Sequence, residues 1–97
     1  MIAREVFYEG RVQGVGFRYS VKELAKGYNI VGWVTNLPDG QVHLIVQGDK
    51  TEVKEFLEAI LESHLRAHIV RHVIWESPVI TGLKGFEIRH RPPGIPK

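Results

Sequence analysis

The chain contains no cysteine. That removes disulfides, thiolate nucleophiles, thiolate zinc sites and iron–sulfur clusters from consideration, and it fits a reducing compartment. Long apolar runs are missing as well. The longest, Leu44-Ile45-Val46, falls far short of the roughly 20 residues of a membrane helix, so no membrane association is expected. The first residues, Met1-Ile2-Ala3-Arg4-Glu5, lack an apolar leader and a small-residue cleavage site, and the chain reads as unprocessed and cytoplasmic. Charge of one sign is scarce: 13 Lys and Arg against 11 Asp and Glu leave a net +2, too weak and dispersed for a nucleic-acid surface but suited to a small anion. A length of 97 residues holds one core, so no site can form between two domains of this chain. With 43% hydrophobic and 25% charged residues, that core belongs to an ordinary globular domain, not to a disordered or coiled-coil chain.

What is present is periodicity. Residues 2–9 have strand length and a short apolar centre, and they run into the Gly-rich stretch Gly10-Arg11-Val12-Gln13-Gly14-Val15-Gly16. From there Phe17, Val21, Leu24, Ala25 and Tyr28 follow the spacing of one helical face, with Gly27 and Asn29 as a stop. Residues 30–36 and 41–47 are β-type runs around Leu37-Pro38-Asp39-Gly40, a hairpin turn in which Pro presets φ and Gly accepts a positive one. Asp49 with Glu52 three residues on predicts a capping box, and Val53, Phe56, Leu57, Ile60, Leu61 and Leu65 supply a second helical stripe. Residues 69–75 are rich in β-branched side chains, and residues 85–89 make a last short strand after a loop through Pro78 and Gly82.

This order predicts an α+β, ferredoxin-like βαββαβ sandwich: an antiparallel sheet of four to five strands with two helices on one face. It spans residues 1–91 as a single domain and leaves a Pro-rich tail at residues 92–97. In such a fold the first and second strands end on the same edge of the sheet, roughly 10 Å apart. Residues 10–18 and Asn36 then share that edge.

The chemistry concentrates there. Three glycines, Gly10, Gly14 and Gly16, separate a strand from a helix start. Such glycines let the backbone curl its N–H groups inward, and the helix N-terminus adds donors and a positive dipole suited to a tetrahedral anion. The loop is no dinucleotide fingerprint, because Tyr19 stands where a third Gly is required, and no Gly-Lys-Ser/Thr follows to make a Walker A loop. Arg18 has the planar fork that clamps two phosphate oxygens. Asn36 offers the donor and acceptor needed to hold a water molecule. Taken singly, each of these has an ordinary structural reading: a connecting turn, a surface Arg, a turn-favouring Asn.

Together they resemble a known family. Gly10-Arg11-Val12-Gln13-Gly14-Val15-Gly16-Phe17-Arg18 is similar to the first signature of the acylphosphatases, and Gly32-Trp33-Val34-Thr35-Asn36, with Gly40, Val42 and Gly48 following, is similar to the second. The resemblance covers residues 3–90 and implies hydrolysis of the carboxyl–phosphate bond of a small acyl phosphate without metal or organic cofactor. By that resemblance Arg18 and the loop amides of Gln13, Gly14, Val15, Gly16 and Phe17 bind the phosphoryl group, and Asn36 orients the attacking water. Acetyl phosphate, carbamoyl phosphate and 1,3-bisphosphoglycerate are among the candidate substrates it implies, and the chain is expected to be a monomer. Tyr8, Thr35, His43 and Ser63-His64 depart from the family pattern. They bear on the chain path at residues 62–68 and on substrate preference, and none touches Arg18 or Asn36.

Other signals point elsewhere. His64, His68 and His72 recur every four residues, the spacing of a metal-binding helical stripe. Because the second helix should end near Leu65 and residues 69–74 read as strand, they are expected to be separate surface histidines, with no metal site. The segment Arg89-His90-Arg91-Pro92-Pro93-Gly94-Ile95-Pro96-Lys97 is basic and Pro-rich and reads as a frayed terminus. Two rival functions share the fold. RNA-recognition modules expose aromatics on the third strand, but Gln41-Val42-His43-Leu44-Ile45-Val46-Gln47 has none. A non-catalytic phosphate- or carbamoyl-phosphate-binding domain is the other.

Overall fold

The structure is a computed structural model and describes residues 1–90; the predicted tail at residues 92–97 lies outside them. Its elements are β1 (Ile2–Gly10), α1 (Phe17–Ala25), β2 (Ile30–Asn36), β3 (Val42–Gly48), α2 (Lys50–Glu62), β4 (Ile69–Ser77) and β5 (Phe86–Arg89), with a 3₁₀ turn at His64–His68 before β4. The α+β ferredoxin-like order expected from the sequence is present. The sheet order is β4-β1-β3-β2-β5.

Period-two alternation sets which side chains meet the helices. On β1, Val6 and Tyr8 point to the helix side and are fully buried, and β3 sends Val42, Leu44 and Val46 the same way. Helix α1 answers with Phe17, Val21 and Ala25, and α2 with Val53, Phe56, Leu57 and Ile60. These make one continuous core. The central strand is also covered on its other face, where Ile45 and Gln47 are buried. There the Gln47 side-chain amide donates to the Ile80 carbonyl at 2.9 Å and accepts from the Ile80 N–H at 2.7 Å, fastening the segment that crosses the sheet from β4 to β5.

Several local expectations are corrected. The sheet is mixed, because β5 pairs parallel to β2 while the other pairs are antiparallel. β4 ends at the edge remote from the Gly-rich loop, and the chain crosses at that end, so β5 can only run back towards the loop. The capping box does not close: Asp49 makes no side-chain cap bond, and Glu52 Oε1 instead accepts the Asn29 N–H at 2.7 Å, tying the start of β2 to α2. Helix α1 stops at Ala25, short of Tyr28, through tight closures of Gly27 N–H on Leu24 O and Tyr28 N–H on Ala25 O, while the Tyr28 ring still packs on Phe56. Helix α2 stops at Glu62 because Ser63 is extended, and Leu65 is buried from the 3₁₀ turn instead. Ser63 Oγ donates to Ile60 O at 2.7 Å and accepts from Leu65 N–H at 3.1 Å, so one hydroxyl closes one helix and caps the next turn.

Candidate active site

β1 and β2 both pair antiparallel with β3, and Tyr8 and Asn36 stand opposite the same residue, Val42. The sheet therefore presents the end of β1 and the end of β2 at one level, two strand spacings apart, or roughly 10 Å. The Gly-rich loop bridges this gap. It is anchored at both ends: Arg11 N–H donates to His68 O at 3.0 Å, Val12 is wholly buried, and Phe17 is buried against Tyr8 with ring centroids 5.2 Å apart. Between these anchors Gly14 and Gly16 adopt φ of 77° and 75°, the left-handed region, although a Cβ on either would meet open space. Glycine is needed there for its backbone, not for its size.

Gly16 is the N-cap of α1, and the first helical hydrogen bond is Ser20 N–H to Gly16 O at 3.0 Å. The N–H groups of Phe17, Arg18 and Tyr19 therefore have no partner within the helix. No acidic residue occupies that first turn. The helix end, Arg18 and Asn36 border a cleft of about 190 Å³ whose walls include Gly14, Gly16, Tyr19, Ile88 and His90, with no carboxylate among its lining residues. Asn36 Oδ1 is closed off from solvent and has no protein partner. Arg18 Nη1 lies 3.3 Å from His90 Nδ1. A half-buried guanidinium, free helix-end amides and the Asn36 side chain around one small opening can hold a tetrahedral anion and a neutral polar molecule side by side.

Of the residues singled out from the sequence, the structure brings Gly14, Gly16, Phe17, Arg18 and Asn36 to this cleft, while Gln13 and Val15 do not line it. Gln13 turns its side chain to the β2–β3 turn, where Nε2 donates to Leu37 O and to Gln41 O, each at 2.9 Å. His90 and Tyr19 were not singled out. The sequence places His90 in a frayed terminus, and only the parallel placement of β5 reveals its position. The three spaced histidines separate: His64 and His68 sit at the two ends of the 3₁₀ turn, and His72 is on β4. His64 Nε2 is 3.2 Å from Ser20 Oγ.

The departures from the family pattern lie off the cleft. Thr35 is buried on the opposite face of β2, across from His43. His43 Nε2 is 2.7 Å from Glu5 Oε2 on the neighbouring strand, and its ring stacks on Phe7. Tyr8 forms the floor beneath Phe17, and its burial pushes the hydroxyl above its usual pKa range. A larger groove of about 310 Å³ between α2 and β4 includes Val53, Leu57 and Ile74, but neither Arg18 nor Asn36 reaches it.

Fold and cleft define a class: a single-core α+β domain with an amide-rich, cationic cradle at the ends of two parallel strands. The family model described as Acylphosphatase matches residues 4–88. An acylphosphatase of Trichormus variabilis is 40% identical over 89 residues, covering 92% of this chain and 87% of its own. The crystal structure of acylphosphatase from Bacillus subtilis superposes with a TM-score of 0.84 at 32% identity, covering 93% of this chain and all of that one. Full-length HypF in its phosphate- and nucleotide-bound form contains a similar unit, with a TM-score of 0.79 and 30% identity, over 91% of this chain and 12% of its own length. The chain belongs to the acylphosphatase family.

Proposed function

We propose that this acylphosphatase hydrolyses acyl phosphates in the cleft at the ends of β1 and β2, with Arg18 and the loop amides of residues 13–17 holding the phosphoryl group and Asn36 orienting the water. The observation that carries the assignment is the meeting of Arg18, the uncapped start of α1 and Asn36 around one opening. The substrate phosphoryl group lies in the cradle, two oxygens on the guanidinium fork and the third towards the amides. The Asn36 amide holds a water in line with the bond to the acyl oxygen. The water oxygen bonds to phosphorus as the P–O bond to the acyl group breaks, and the carboxylate departs with the electron pair. A phosphate oxygen takes the water's proton.

Such sparse equipment suffices chemically. The conjugate acid of the leaving carboxylate has a pKa of about 4, so no general acid is required. Phosphoryl transfer needs mainly positioning and stabilisation of charge on the equatorial oxygens. A monomer is the proposed working unit. The lack of cysteine supports a cytoplasmic setting, and no helix among the described residues is long and apolar enough to cross a membrane.

The test is phosphate release from acetyl phosphate by the purified chain in excess EDTA. The expected outcome is turnover that survives chelation and is inhibited competitively by inorganic phosphate. Phosphate binding without turnover would instead establish the non-catalytic binding domain.

A further inference from the structure

The last strand delivers a side chain to the cleft for which the hydrolysis itself has no role. β5 runs parallel to β2 with Thr35 opposite Arg89, so one residue further on Asn36 and His90 stand at the same level of the sheet. The end of β5 is clamped from the far face, where the Arg89 guanidinium lies 3.9 Å from the Trp33 ring centroid and its Nε donates to Glu87 Oε1 at 2.6 Å. Alternation then turns the residues on either side of Arg89 to the helix side. Phe86 packs on Phe56 there, Ile88 lines the cleft, and His90 comes over the start of α1.

At that point His90 Nδ1 meets Arg18 Nη1 at 3.3 Å. A guanidinium offers five N–H donors, has no acceptor and stays charged at any working pH. Nδ1 must therefore accept, which makes the ring the neutral tautomer with its proton on Nε2. We propose that His90 is a positioning residue that fixes the orientation of the Arg18 guanidinium before substrate arrives. The proposal rests on the reading of Arg18 as the phosphoryl-holding group.

A neutral acceptor suits this task better than a charged one. Among the described residues Arg18 forms no ion pair. A carboxylate in the place of His90 would also hold the guanidinium, but it would cancel the charge that draws the phosphoryl group and compete with it for the fork. The imidazole takes one of the five donors, leaves four and leaves the charge intact. It restricts a long, flexible side chain in advance, so substrate binding does not have to.

The consequence is a split in kinetics. Arg18 grips the phosphoryl group in both the ground state and the transition state, so the cost of ordering it falls on binding. His90→Ala is expected to raise KM and the inhibition constant of inorganic phosphate together by about tenfold, with kcat changed by less than about threefold. His90→Asn places an amide oxygen near the position of Nδ1 and is expected to restore both constants. His90→Gln extends its amide to the position of Nε2 and is expected to behave like the alanine variant.

The test measures acetyl phosphate kinetics and inorganic phosphate affinity by calorimetry for these three variants, for Arg18→Ala and for the Arg18→Ala/His90→Ala pair, with urea midpoints to confirm folding. The proposal predicts that His90→Ala has no further effect on phosphate affinity once Arg18 is gone. Wild-type KM and phosphate affinity in His90→Ala would overturn it, as would equal rescue by Asn and Gln, or a full His90 effect without Arg18. Undiminished phosphate affinity in Arg18→Ala would instead overturn the role given to Arg18, a failure distinct from a silent His90.

Discussion

Replacing Arg18 with lysine retains one positive charge at the start of α1 and removes the fork. Arginine has five donors fixed in a plane. One meets His90 at 3.3 Å, and four remain for an opening of about 190 Å³. Lysine has three donors on a single rotating nitrogen, so it satisfies one phosphate oxygen at a time and leaves the rotation of the phosphoryl group unset. Loss of a positioned, charged hydrogen bond in the transition state costs about 3 to 4 kcal/mol, which is roughly a hundred- to thousandfold in rate. The penalty should fall mainly on kcat, since the remaining charge still attracts the substrate. Steady-state phosphate release from acetyl phosphate gives kcat and KM, and circular dichroism with a urea melt verifies the fold. Arg18 is half-buried, and among the described residues its side chain hydrogen-bonds only His90, so the melt should barely move. Folded Arg18→Lys with near-wild-type kcat and KM would show that charge alone suffices, and the fork argument would fail.

Asn36→Ala should lower kcat by at least tenfold while inorganic phosphate inhibition changes little, because the amide is assigned to the water and not to the anion; collapse of phosphate affinity with normal turnover would reverse that assignment. Gln13→Leu removes both side-chain bonds to the β2–β3 turn and should cost about 1 to 3 kcal/mol of stability in urea unfolding, at about 0.5 to 1.5 kcal/mol for each bond. Tyr8→Phe tests the buried hydroxyl. Burial raises its folded-state pKa above the ordinary 10.0, so the stability it confers is fully present below pH 10 and declines as pH rises further. Above pH 10 the wild type should lose up to about 1.4 kcal/mol per pH unit more than the variant, and parallel stability curves for the two would refute the burial argument.

Much of the fold was readable because it is written in local rules. The short apolar centre of β1, the helical spacing from Phe17 and the turn at Pro38 and Gly40 each depend on residues a few positions apart. Gly14 and Gly16 could be assigned to a curled loop for the same reason, since a left-handed φ is a property of one residue. Arg18 and Asn36 were reachable because the order of elements alone brings the ends of β1 and β2 to one edge.

Where the local reading failed, a distant partner had taken the group in question. Glu52 was expected to cap its own helix, and it bonds Asn29, 23 residues away. The Gln13 side chain had no partner expected from the sequence; it reaches Leu37 O and Gln41 O, 24 and 28 residues on. The direction of β5 belongs to the same class, because it depends on the end of the sheet at which β4 stops and the chain crosses, where Gln47 holds Ile80. From that one choice follows the meeting of His90 with Arg18 across 72 residues. The sequence by itself determined the elements, the loop and the placement of Arg18 and Asn36 at one end of the sheet, since backbone preference and periodicity act over a few residues. Only the tertiary structure decided which side chains hold those residues in place, since a polar group finds its partner among whatever the completed fold brings within 3 Å or so.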